Sequence, residues 1–264
     1  MDSFEVFKAL QKEGWANFAP FEMLTTIPAA RLVKFAGVAP GQHVLDVACG
    51  TGVVAITAAR TGAQVTGIDL TPELLERARE NSRIAELQPR WLEGDVEKLP
   101  FGDEEFDVIL SQFGHIFAPR PAVAIAEMLR VLKPGGTIAF STWPPELFMG
   151  RMFSLVASYM PPAPGISPTS DWGDQNIVRE RLGSAVGEIV FENETIHAPA
   201  LSPQHFRAMV EQTVGPVTKL VKNLSAHDPA KVTAFRREYD ILTAQFFDHN
   251  AVRQTYMMTR AVKK

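Results

Sequence analysis

Five short, nearly all-apolar runs recur between residues 43 and 143, with a helical stretch between most of them. This alternation limits the possible folds more than any other feature of the chain. The runs are His43–Ala48, Ala63–Asp69, Arg90–Glu93, Phe106–Ser111 and Thr137–Trp143. Runs so short, apolar at consecutive positions, suit strands covered on both faces. Between the second and third runs, Thr71-Pro72-Glu73 opens a helix. Thr is a good N-cap, Pro suits the first helical position, and Glu complements the positive helix end. Leu74, Leu75, Ala78 and Ala85 give that helix its apolar stripe. A second helix over 121–132 is closed by Lys133-Pro134-Gly135-Gly136, a stop and a tight turn. Strand–helix–strand units with short connections imply right-handed crossovers and a mainly parallel, doubly wound α/β sheet.

The flanks differ from this core. Residues 1–37 read as an N-terminal helical cap and 38–143 as the core. Residues 144–186 read as a lid insertion rich in Pro, Met and aromatic residues, and 187–264 as the C-terminal part of the sheet with its helices. There the pattern predicts strands over 188–196 and 253–262 and helices over 203–224 and 229–247. A chain of 264 residues fits one such domain. Net charge is 26 − 30 = −4 with no basic block, which argues against nucleic acid as partner. The single cysteine, Cys49, reads as a small buried filler and fits a reducing compartment. No run of about 18 apolar residues occurs and the first residues do not resemble a secretory signal. The expectation is a cytoplasmic protein, monomer or homodimer, without membrane association.

The strongest motif is Val44-Leu45-Asp46-Val47-Ala48-Cys49-Gly50-Thr51-Gly52. A strand ends, a glycine loop turns, and a helix begins near Val53. Glycines let a ligand approach main-chain N–H groups closely. Nineteen positions past Gly50, Asp69 ends the second strand, where a carboxylate can accept both hydroxyls of a ribose. Gly50-x-Gly52-x-x-Ala55 also fits a dinucleotide fingerprint, a weak pattern alone. Three features tip the balance away from a dinucleotide. Asp46 sits where a pyrophosphate is disfavoured and an ammonium group favoured. Gly94-Asp95 places a second carboxylate at the end of strand three. Leu132–Gly136 precedes strand five, and the tail adds a terminal strand.

With Gly67-Ile68-Asp69-Leu70, Gly94–Phe101, Phe106–Phe113 and Arg130–Gly136 added, the chain resembles a class I S-adenosylmethionine-dependent methyltransferase. The branch is the small-molecule one that includes ubiquinone/menaquinone-biosynthesis-type enzymes. The resemblance spans roughly residues 40–143. It implies a seven-stranded Rossmann-like sheet with the last strand antiparallel and a helical lid. It implies S-adenosylmethionine as cofactor and S-adenosylhomocysteine as product. Asp46, Ala48, Gly50, Thr51 and Gly52 then hold the methionine portion. Asp69 binds the ribose, with Leu70 against the adenine. Asp95 accepts from the adenine amino group, and the Val96 N–H meets a ring nitrogen. Ser111, Gln112 and Phe113 line the sulfonium and the acceptor route.

Methyl transfer of this kind is an in-line displacement on an already activated methyl, so placement dominates. An amine or thiolate acceptor requires no base, whereas a general base helps a phenol or hydroxyl acceptor. His115 is the candidate, just past strand four, where related sequences often carry an apolar residue. The competing reading is a histidine that caps the next segment or faces solvent. His197 and His205 are weaker candidates, and no ligand spacing suggests a metal. The apolar run Glu146–Met160, with Ser170-Asp171-Trp172-Gly173 as a rim, reads as the wall of a pocket for a small hydrophobic acceptor, and Trp15, Phe18 and Phe21 as closing the other side of the cofactor; the equal alternative is that both regions complete the core or form a dimer contact. An NAD-dependent oxidoreductase and a non-catalytic cofactor-binding module are the competing functions.

Overall fold

The computed structural model describes residues 3–16 and 18–264. Met1, Asp2 and Asn17 of the expected N-terminal cap lie outside the described residues. The five apolar runs form β1 (His43–Val47), β2 (Gln64–Asp69), β3 (Arg90–Glu93), β4 (Phe106–Gln112) and β5 (Leu132–Thr142), all paired in parallel. Val44, Leu45 and Val47 of β1 and Val108, Ile109 and Leu110 of β4 are almost completely buried, as strands covered on both faces must be. β6 (Val186–Pro199) and β8 (Ala251–Lys263) complete the order β3-β2-β1-β4-β5-β8-β6. β8 runs antiparallel to both neighbours, as expected for the last strand. A two-residue strand, β7 (Phe247–Asp248), pairs with the start of β8 and was not foreseen.

Ten α-helices accompany this sheet among the described residues, some packed on its faces and α1, α8, α9 and α10 packed against other helices. Four belong to the strand–helix repeat or precede it: α2 (Glu22–Ala36), α3 (Val53–Ala59), α4 (Pro72–Ile84) and α5 (Pro121–Val131). The others are α1 (Ser3–Trp15), α6 (Phe148–Tyr159), α7 (Gln175–Leu182), α8 (Pro203–Thr213), α9 (Gly215–His227) and α10 (Pro229–Ala244). Strand order reverses between β1 and β4. The crevice at the carboxyl ends of those two strands is where ligands bind in sheets of this kind.

Two local expectations are corrected. The turn Lys133–Gly136 does not precede β5 but interrupts it: Phe106 pairs with Leu132 and Val108 with Thr137, so the turn bulges out of a longer strand. The helix expected over 203–224 breaks at Val214, which is extended (φ −95°, ψ 104°). Pro216 then sits in the first turn of α9, where its missing N–H costs nothing. In the segment expected as a lid, α6 buries Phe148, Met152, Phe153 and Val156. Each such side chain contributes about 1.5–3 kcal/mol through burial, so α6 is also core.

Candidate active site

The glycine loop leaves β1 through backbone that ordinary residues avoid. Ala48, Gly50 and Gly52 all have positive φ (53°, 54° and 82°). At Gly52 a side chain is excluded twice: by φ, and because a Cβ there would lie 2.5 Å from the Trp91 ring. Asp46, in β1, is completely buried; its Oδ2 accepts the Ala55 N–H of α3 at 2.9 Å. Its Oδ1 finds no hydrogen-bond partner among the described residues. Burial pushes the Asp46 carboxyl well above the usual range, the Ala55 N–H opposes this in part, and the charge of Asp69 adds to it. Asp69 accepts the Gly50 N–H at Oδ2 and the Thr71 N–H at Oδ1, each at 2.8 Å. It therefore fixes the loop as well as facing the cavity. Burial raises its carboxyl too, and those N–H bonds hold the rise down.

Both carboxylates line one cavity with Ala48, Gly50, Thr51, Leu70, Asp95 and Val96. The cap closes this end by long-range ion pairs. Lys8 Nζ of α1 donates to Asp95 Oδ2 at 2.5 Å and lies 2.7 Å from Glu97, which also holds Arg120. Burial works against the Lys8 charge, but the two carboxylates more than offset it, and its pKa rises. At the start of α2, the buried Glu22 accepts from Arg77 (2.6 Å) and Asn81 (3.0 Å) of α4. Asn81 also donates to the Thr51 carbonyl at 3.1 Å, so α2 and α4 brace the glycine loop together.

At the end of β4 the side chains divide by strand parity. Leu110 pairs with Asp46, so Gln112, two residues on, shares the face of Asp46 and lines the cavity, while Ser111 points the other way. Gln112 Nε2 donates to the Thr25 carbonyl of α2 at 2.9 Å; its Oε1 is buried without a partner among the described residues. The backbone then turns through Phe113 (φ 63°), supported by close contact of Gly114 with Ala48, whose carbonyl would lie 2.5 Å from a Cβ at Gly114. This turn stacks the Phe113 ring on Trp143, centroids 4.0 Å apart and planes 14° off parallel.

Two expected site residues are corrected. Ser111 is fully buried, donates to the Val47 carbonyl at 2.7 Å and does not reach the cavity. His115 is also fully buried and neither lines the cavity nor faces solvent. Because the Ser111 proton goes to Val47, His115 Nδ1 donates to Ser111 Oγ at 3.0 Å. Its Nε2 is left without a partner among the described residues, and the ring packs edge-on against Phe140 and Trp172. Burial, with the nearby Arg181 charge, lowers its pKa to about 3. A sealed, neutral imidazole cannot take a proton from an acceptor in the cavity. Nor do the weaker candidates His197 and His205 line it. The expected rim is corrected as well: Trp172 is fully buried and belongs to the His115 cluster.

The far half of the cavity is apolar. Trp15, Phe18 and Phe21 of the cap, Met149, Met152 and Phe153 of α6, and Phe206 and Val210 of α8 line it, so residues of the cap and of the insertion share this half of the cavity. Sequence reading missed Lys8, Thr25, Trp143, Phe206, Tyr239 and Gln254, all of which line the cavity. No local pattern marks them, since Lys8 and Asp95 are 87 residues apart. Gly52 does not line the cavity; its role is to shape the loop. The buried Cys49 is held protonated by burial and by the neighbouring Asp46 and Asp69 charges.

Comparison with known proteins agrees with this geometry. Residues 45–140 match the model of a methyltransferase domain family. An uncharacterised protein of Mycobacterium tuberculosis is 33% identical over 236 residues, 88% of this chain and 85% of that protein. A 2-phytyl-1,4-naphthoquinone methyltransferase of Synechocystis is 41% identical over 115 residues, 42% of this chain and 48% of that one. In structure, the chain is similar to a Haemonchus contortus phosphoethanolamine N-methyltransferase solved with S-adenosylhomocysteine. The TM-score is 0.55 at 19% identity, covering 89% of this chain and 52% of the other. The chain belongs to the class I S-adenosylmethionine-dependent methyltransferases. S-adenosylmethionine is its cofactor, and the dinucleotide reading falls away. No helix of the described residues is long and apolar enough to cross a membrane.

Proposed function

We propose that this methyltransferase acts on a small, largely apolar acceptor, held in the far half of the cavity against the Phe113–Trp143 stack. The observation that carries the reading is a single cavity with an orphaned, buried Asp46 oxygen at one end and an aromatic and methionine wall at the other. In this reading Asp46 Oδ1 accepts from the ammonium group of the methionine portion, which restores the carboxylate's charge by giving it a cation. Ala48, Gly50 and Thr51 cradle that portion, Asp69 takes the ribose hydroxyls, and Leu70, Asp95 and Val96 take the adenine. Gln112 and Phe113 stand at the boundary between the two halves. When bound, the cofactor supplies a methyl group on a positively charged sulfur. The chain's own work is to orient the acceptor for in-line attack and to exclude water, for which good placement is worth an effective molarity of about 10⁵–10⁸ M.

Among the described residues, the one titratable side chain lining the apolar half is Tyr239, and burial raises its phenol so that it stays protonated. The favoured acceptor is therefore one that needs no protein base: an amine, a thiolate, or an acidic phenol or carbon acid. We assign residues 1–37 as cap, 38–143 as cofactor core, 144–186 as lid and 187–264 as the rest of the sheet, in one cytoplasmic domain. The test is release of S-adenosylhomocysteine from S-adenosylmethionine with a panel of hydrophobic amines, thiols and phenols, beside RNA, DNA and protein. Turnover with hydrophobic small acceptors is expected. Methylation of a macromolecule with none of the small acceptors turned over overturns the reading.

A further inference from the structure

We propose that Tyr239 determines acceptor specificity: its hydroxyl donates a hydrogen bond to an oxygen carried on the acceptor's apolar body. The inference rests on the reading of the far half of the cavity as the acceptor site. Tyr239 lies on α10, is fully buried, and lines the cavity. Its ring packs edge-on against Phe148 and at a tilt against Phe235, both themselves fully buried. Its hydroxyl has no hydrogen-bond partner among the described residues. The charged groups that act on its phenol, Glu211, Asp240 and Arg207, are already engaged with one another. Arg207 pairs with Glu211 and Asp240, and Arg236 with Glu211. A phenylalanine would fill the same aromatic niche without leaving a buried polar atom unmet, and a buried, unpaired hydroxyl is destabilising. Its use is then in the liganded protein. Burial keeps the phenol protonated, so it acts as a donor and not as a base. A carbonyl, ether or hydroxyl oxygen on the acceptor satisfies it, and a purely hydrocarbon ligand of the same shape does not. The class this selects is an oxygen-bearing aromatic or alicyclic compound.

The experiment compares 2-naphthol with 2-methylnaphthalene, near-isosteres that differ in the oxygen, as ligands of the full chain saturated with S-adenosylhomocysteine. Binding is read by calorimetry on wild type and Tyr239→Phe, with the melting temperature of each unliganded protein recorded. Wild type is expected to prefer the naphthol by roughly five- to tenfold, the strength of one net hydrogen bond, and Tyr239→Phe to bind the two ligands alike. The variant's melting temperature is expected to stay the same or rise, because no internal bond is lost. An unchanged preference in Tyr239→Phe, or a lowered melting temperature that reveals a structural bond, overturns the assignment and leaves the acceptor cavity standing. Failure of both ligands to bind overturns the acceptor-site reading itself.

Discussion

The two ends of the cavity are built by different routes. The end with Asp46, Asp69 and Asp95 comes from three strand tips and the loops that follow them, so each residue is placed by a strand a few positions away. The end with Trp143, Phe206 and Tyr239 is assembled from the tip of β5, α8 and α10, together with the cap and α6. Charge is concentrated at the first end, where burial raises both Asp46 and Asp69. At the second, the aromatic and methionine wall leaves the Tyr239 hydroxyl without a partner among the described residues. The first end suits one fixed, charged ligand. In the proposed reading the second sets the acceptor's shape and offers it a hydrogen bond, so acceptor choice can vary on one scaffold.

This division also explains what could be read from the sequence. The glycine loop, Asp69 and Asp95 were legible because they lie at strand tips, where local spacing fixes position. Lys8, Glu22 and Tyr239 were not, because each meets its surroundings through helix packing across many tens of residues. His115 was misleading for a subtler reason. It follows β4 closely, but parity had already turned Ser111 away from the face of Asp46, and His115 joins Ser111 on that inner side. Counting alternation from Asp46 through its partner Leu110 separates Gln112 from Ser111. The helix expected across 203–224 failed because periodicity runs on through the single extended residue Val214.

The contrast between the two ends can be broken most directly at Asp69. Asp69→Ala removes the acceptor of two loop N–H groups and, in the proposed reading, the ribose contact. Hydrogen bonds to a charged group are involved, so affinity for S-adenosylhomocysteine should fall by about 1–3 kcal/mol, read by titration calorimetry with folding checked by circular dichroism. Wild-type affinity in the variant removes the carboxylate end from the cofactor site.

The next effect sharpens the placing of His115 in the core. Its pKa lies near 3 when folded and near 6.5 when unfolded, so between those values the unfolded chain binds the extra proton. Its contribution to stability is therefore full above about pH 6.5 and is lost as pH falls toward 3. Asp46 and Asp69 act in the opposite sense, because a raised carboxyl pKa favours the fold as pH falls. His115→Phe keeps those two terms and removes only the histidine. Between pH 7 and 5, wild type should lose about 2 kcal/mol of unfolding free energy relative to the variant in urea titrations. Parallel curves for the two proteins would place the imidazole in solvent.

The smallest expected effect lies where the two ends share a wall. Lys8 belongs to the cap that supplies Trp15, Phe18 and Phe21 to the apolar half, yet its ammonium sits between Asp95 and Glu97. Lys8→Met keeps the length of the side chain and removes the charge. Glu97 retains Arg120, so it is not left without a cation, and the loss is limited to the seating of α1 on the end of the cavity around Asp95. The expected outcome is affinity for S-adenosylhomocysteine weaker by about 1 kcal/mol, an effect of the size of one partly exposed ion pair. The salt dependence should also differ: wild type weakens as ionic strength rises and the variant weakens less, because screening acts on a pair the variant lacks. If affinity instead rises when Lys8 is removed, the lysine competes with the adenine for Asp95. The cap is then a gate over the cofactor and not a wall of its site.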